Sequence, residues 1–121
     1  MKWMKASLAL ATLAVACQAN AYTADGIDYD VACNADGYVL TSKEAVTRMV
    51  TTPVDAEPVT GIEKIYLGRS CDAAHPLYGN GKWCWANGGF LAEFPDRSFG
   101  FGRQELSCPG DDAYRGKCGC P

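Results

Sequence analysis

Seven cysteines and an export-type leader constrain this chain more than any other feature. It opens MKWMKASLALATLAVACQANA, in which Lys2 and Lys5 precede an apolar run from Ala6 to Ala16. Ala19 and Ala21 place small residues where a signal peptidase reads. The pattern is that of a secretory signal peptide, and the run is too short to cross a bilayer as a helix. Residues 1–21 are therefore expected to be removed, leaving a single mature domain over 22–121. Cys17 lies in LAVAC, a loose match to a bacterial lipoprotein box. A lipid anchor there is the less favoured reading, because Ala14 stands where a large aliphatic residue is usual.

On either reading Cys17 leaves the disulfide pool. Cys33, Cys71, Cys84, Cys108, Cys118 and Cys120 remain. An even count in an exported chain of this size predicts three disulfides, with fifteen pairings open. A zinc site would need tighter cysteine spacing or more than the single histidine, so neither metal nor cofactor is expected. Removing Lys2 and Lys5 from 11 basic residues, against 14 acidic ones, leaves a mature net charge of −5. That balance argues against nucleic acid as a partner. No second long apolar run signals a transmembrane helix.

The mature sequence reads as short strands separated by turns. YDVACNADGYVLTS (29–42) predicts a hairpin about Asp36-Gly37. SKEAVTRMVTTP is rich in β-branched residues and predicts a strand ending near Pro53. VDAEPVTG is expected to be a loop, since Pro53 and Pro58 break the pattern. In GIEKIYLGRSC, Ile65 and Leu67 share one face, with Lys64 and Tyr66 on the other. DAAHPLYGNGK is read as a loop and KWCW as a short strand. FLAEF and SFGFGRQELSC form the clearest hairpin, joined by PDR, with Phe90, Ala92 and Phe94 facing Phe99 and Phe101. Five or six strands of this kind predict an all-β fold: a small antiparallel sheet curled into a barrel or sandwich and stapled by three disulfides.

The first hairpin YDVACNADGYVL, together with LSC closing the last strand, resembles the exported bacterial inhibitors of c-type lysozyme. The resemblance implies a small disulfide-closed β-barrel. The short Ser-Gly-containing loop motif of those inhibitors is missing here, so no functional residue carries over.

Chemistry is sparse. His75 is the only histidine, and Asp72 is the nearest acid that could orient it. Glu93 and Glu105 are placed on adjacent strands of the last hairpin, where paired carboxylates could cleave glycosides. The bland reading pairs them with Arg97 or Arg103. A calcium loop on Gly37 would need ligands where Ala32 and Lys43 stand. Trp83, Trp85, Tyr78 and Tyr66 could stack on sugar rings, with Asn80, Asn87 and Asp72 as hydrogen-bonding groups. Trp83 and Trp85 also suit the core, and at least one is expected there. The reading that fits best is a small envelope protein, periplasmic or secreted, acting as a non-catalytic binding module for a protein partner or a glycan. Its binding residues would lie in the 71–89 segment: Asp72, His75, Tyr78, Asn80, Trp83 and Trp85. The alternatives are a small hydrolase using His75 or the Glu93/Glu105 pair, and a structural envelope component.

Overall fold

A computed structural model describes residues 22–86, 88–106 and 115–121. The proposed signal segment, Cys17, Asn87 and Cys108 lie outside the described residues. Eight strands follow one another: β1 (Tyr22–Ala24), β2 (Ile27–Asn34), β3 (Gly37–Thr51), β4 (Ala56–Gly68), β5 (Asp72–His75), β6 (Gly79–Ala86), β7 (Gly89–Phe94) and β8 (Arg97–Phe101). Each pairs antiparallel with the next, so that sheet order equals chain order. The sheet curls until β1 lies against β8, giving a nearly closed barrel. Among the described residues no helix is long and apolar enough to cross a membrane.

The turns explain the meander. In the first long hairpin Asn34 pairs with Gly37. The Asn34 Oδ1 accepts the N–H groups of Asp36 (2.8 Å) and Gly37 (3.0 Å), an Asx turn that locks a two-residue loop. In the last hairpin Phe94 pairs with Arg97, so Pro95 and Asp96 make the turn and Arg97 already belongs to β8. Phe90, Ala92 and Phe94 face inward with Phe99 and Phe101, as the alternation predicts. Phe90 and Phe101 stack with ring centroids 4.4 Å apart. Ile65 and Leu67 are likewise buried, with Lys64 and Tyr66 outside.

Two expected loops are strand instead, and with β1 and β5, which the sequence reading did not place, the count is eight against the five or six expected. VDAEPVTG falls largely within β4, which pairs with β3 as far as Ala56 opposite Thr51. Pro58 is tolerated because of the way its backbone faces. The Glu63 N–H turns toward β3, where it donates to Ser42 Oγ (2.8 Å). Backbone groups alternate sides along a strand, so even-numbered positions of β4 turn the other way. On that side β4 meets β5 only at Tyr66 and Leu67, and the hydrogen Pro58 lacks would have met no strand. DAAHPLYGNGK likewise contributes β5 and the start of β6. Alanine is a weak strand former, but Ala73 and Ala74 are held between β4 and β6 by pairing on both sides.

One end of the barrel is stapled. Disulfides join Cys71 to Cys118 and Cys84 to Cys120. The tail forms a short 3-10 turn, Arg115–Cys118, then a parallel bridge from Gly119 to Trp85, with the Cys120 N–H donating to Trp85 O at 2.8 Å. Of the three bridges expected, these two are complete among the described residues. They close loops of 47 and 36 residues, and each stabilises the fold by roughly 2 to 4 kcal/mol, chiefly by restricting the unfolded chain. Disulfides also point to an oxidising, extracellular-type environment.

The seam between β1 and β8 is closed by side chains. Gln104 acts as a substitute strand residue: its Oε1 accepts the Thr23 N–H (2.6 Å) and its Nε2 donates to Thr23 O (2.9 Å). Tyr22 donates its hydroxyl to Glu105 O at 2.9 Å. Replacing Gln104 by Ala removes both exposed hydrogen bonds to Thr23, along with a longer one to Gly102 O, and should lower stability by about 1 kcal/mol. Amide hydrogen exchange should then quicken selectively at Thr23. Unchanged protection there would show that the seam does not depend on Gln104.

Candidate functional site

β3 and β4 continue well beyond their neighbours. β2 pairs with β3 only as far as Ser42 opposite Tyr29, whereas the β3–β4 pairing runs on to Thr51 opposite Ala56. The excess is a two-stranded arm, 45–51 and 56–62, at the barrel end away from the disulfides. A bulge marks its base. Thr41 pairs with Lys64 and Ala45 with Ile62, so Ser42, Lys43 and Glu44 oppose Glu63 alone. Two extra residues keep the alternation in phase, and Val46 and Arg48 stay on the same inner face as Leu40.

Ser42 holds the bulge by accepting the Glu63 N–H and donating to Glu44 O (2.8 Å). Glu63 is thereby turned into the barrel, where its carboxylate is 4% exposed and takes four donors. Tyr29 Oη donates to Oε1 at 2.5 Å. Arg48 grips both oxygens, Nη2 to Oε1 at 2.7 Å and Nε to Oε2 at 2.9 Å. His75 Nε2 lies 2.8 Å from Oε2. The tautomer follows from the other ring nitrogen. Nδ1 accepts the N–H groups of Leu77 (3.0 Å) and Tyr78 (3.4 Å), so the hydrogen must sit on Nε2 and point at Glu63.

Electrostatics matches this geometry. Burial by itself would raise the Glu63 pKa, but hydrogen bonds from His75, Arg48 and Tyr29 hold it well below the usual carboxylate range. Burial, and then the bond to Glu63, push the Tyr29 hydroxyl upward. The bond to Glu63 raises Arg48 against an opposing desolvation cost. An aromatic wall completes the site. The His75 ring stacks on Phe99 (5.6 Å between centroids) and lies 4.5 Å from Tyr78. Arg48 sits over Phe99 at 5.4 Å.

The residues singled out from the sequence separate here. His75 is buried and Tyr78 half-buried, both at the arm end. Trp83 is buried at the other end, edge-on to Tyr38 and donating Nε1 to Gly68 O at 2.7 Å. Trp85 is half-buried against Trp83 and Phe90. Asp72 and Asn80 are exposed on the outer face. Asp72 does not orient His75, because it lies at the opposite end of β5; Glu63 fills that role. Glu93 and Glu105 are not cross-strand neighbours. Glu93 sits opposite Lys82 and Ser98 on the outer face, whereas Glu105 follows β8. Arg97 pairs with Asp25 (3.4 Å) instead of with either glutamate. Among the described residues no three His, Cys, Asp or Glu side chains gather as a metal site would need.

Arg48 and Glu63 are the central residues that the sequence reading passed over. The signal was present: Glu63 has the parity of Ile65 and Leu67, so the alternation that buries those two buries Glu63 as well.

Above the network lies a cleft of about 140 Å³ between the arm and the turn after β5. Val46, Val59, Ile62, Pro76 and Leu77 form its apolar walls, with Arg48, Glu63 and His75 at the floor. Both His75 nitrogens are engaged within the protein, and the Glu63 oxygens are filled by donors. The floor residues are therefore spent on one another, and the cleft offers apolar surface with Lys64 as a further charged lining residue. No family model, curated protein or solved structure matches this chain.

Glu63→Gln leaves the Arg48 charge uncompensated and should destabilise the protein by about 3 to 5 kcal/mol in urea unfolding. Arg48→Met combined with Glu63→Leu should recover much of that loss. Because the native Glu63 pKa is depressed, its contribution is complete above the unfolded value of about 4.3 and fades as pH falls toward the native one. Wild-type stability should thus decline below about pH 4.3, and the gap to Glu63→Gln should narrow there. A constant gap down to pH 2 would contradict the assignment.

Proposed function

We propose that this chain is a non-catalytic binding module of the envelope, periplasmic or secreted, and that it engages a protein partner through the arm end of the barrel. One observation carries the reading. Among the described residues six large apolar side chains are exposed, and five of them gather here: Met49, Val54, Val59 and Ile62 on the arm, and Leu77 beside it. Val59, Ile62 and Leu77 line the cleft, with Met49 and Val54 farther out along the arm, and exposed apolar side chains gathered at one end of a small protein mark an interaction site.

The chemistry of the partner follows from the cleft. An apolar cavity of about 150 Å³ accepts a benzene-sized group. One leucine or phenylalanine side chain is the appropriate occupant of its apolar walls. The edge of β4 from Thr60 to Lys64 runs alongside without a strand neighbour. An extended partner segment can pair with that edge while inserting its apolar side chain, the mode known as β-augmentation. Of the 71–89 segment, the turn bearing His75, Leu77 and Tyr78 belongs to this surface, and the network beneath it supplies rigidity.

The test is capture from periplasmic extract on the immobilised mature protein, with bound proteins identified by mass spectrometry and their affinities then measured singly. Ile62→Asp and Leu77→Asp should each weaken a captured partner at least tenfold while leaving the thermal melt unchanged. A partner held equally well by both variants would place binding elsewhere.

A further inference from the structure

The sixth exposed apolar side chain stands apart from the other five. Tyr66 is 41% exposed on the outer face of β4. It lines a groove of about 590 Å³ between the β2–β3 and β4–β5 turns, toward the stapled end. That volume lies within the range of small-ligand sites.

The groove walls are fixed before any ligand arrives. The Asx turn at Asn34 sets one wall, and the Arg69 N–H donates to Asp36 O (2.9 Å), tying the two turns together. The Cys71–Cys118 bridge anchors the strand that follows. Gly68 lies beneath Asp72. A Cβ at position 68 would fall 2.2 Å from Asp72 Oδ1, so the bare glycine is what lets this carboxylate lie where it does.

The surface chemistry is mixed. Tyr66 offers an aromatic face, and its cross-strand neighbour Ala74 is too small to cover it. Asp72 supplies carboxylate acceptors. Asn34 has its oxygen committed to the turn, which leaves the NH₂ end as a donor. Asp36 and Arg69 add one charge of each sign. Asn80 of β6 pairs with Ala74 of β5, which puts its backbone two strand spacings from that of Tyr66, about 10 Å away.

A planar apolar face flanked by paired donors and acceptors, without a basic excess, suits a neutral ring that is apolar on its faces and hydroxylated at its edge. Phosphates and polyanions would meet two carboxylates against one guanidinium. A metal ion would gain nothing from the aromatic ring. We infer that this groove is a saccharide-binding site, in which a pyranose ring stacks on Tyr66, hydrogen-bonds to Asp72 and Asn34, and is continued by a second ring toward Asn80. The site is separate from the arm, and neither proposal depends on the other.

The experiment is an NMR titration of the ¹⁵N-labelled mature protein with three neutral oligosaccharides: the β-1,4-linked tetramer of N-acetylglucosamine, cellotetraose and maltotetraose. Saturable shifts are expected at Tyr66, Asp72, Ala74 and Asn80 with at least one of them. Tyr66→Ala should weaken that binding at least tenfold with an unchanged melt. Tyr66→Trp should retain it, and Ile62→Asp should bind as wild type does. Absence of saturable shifts with all three sugars, or equal binding by Tyr66→Ala, would overturn the assignment.

Discussion

A single carboxylate organises the arm end of this barrel. Glu63 stands where a continuous β4 would otherwise carry an apolar side chain, and burying an ionised group there is unfavourable unless every oxygen is satisfied. Four donors from three residues satisfy it: Tyr29 on β2, Arg48 on β3 and His75 on β5, with Arg48 giving two. These partners fix the relative positions of β2, β3, β4 and β5 just where regular pairing stops. Without the network, the arm would join the barrel through the bulge alone. With it, Arg48 is bound at the arm's inner face, and His75 holds the turn carrying Leu77 through its second nitrogen.

The two barrel ends are stabilised by different chemistry. At the tail end, covalent bridges and Trp83 close the core. At the arm end, order rests on charge and hydrogen bonding around Glu63. The covalent end sustains a small domain whose core alone is modest, and the polar end is held by the Glu63 network packed against Tyr78 and Phe99.

Much of the architecture was legible in the sequence because it is encoded locally. Asn34 with Gly37 specifies one hairpin, and the alternation of Phe90, Ala92, Phe94, Phe99 and Phe101 specifies another. The arm was half legible. β-branched residues revealed its β3 side, but Pro58 concealed the β4 side, since its harmlessness depends on which way the backbone faces, a property of pairing and not of composition. The candidate site was least legible. Within residues 71–89, β5 and β6 form a hairpin, and a hairpin in a meander carries its middle to one barrel end and its two tips to the other. His75 and Tyr78 therefore part company from Asp72, Trp83 and Trp85. Charged residues are also read as surface by default, which hid Arg48 and Glu63 until they could be seen to face each other.

Glu63 orients His75, and His75 in turn holds the 76–78 turn. Long-range ¹H–¹⁵N correlation spectra of the histidine ring at neutral pH test this directly. A neutral ring protonated on Nε2, with Nδ1 shifted as an acceptor and with slowly exchanging Leu77 and Tyr78 amides, is the predicted result. A ring protonated on Nδ1, or freely exchanging amides at both positions, would contradict the account.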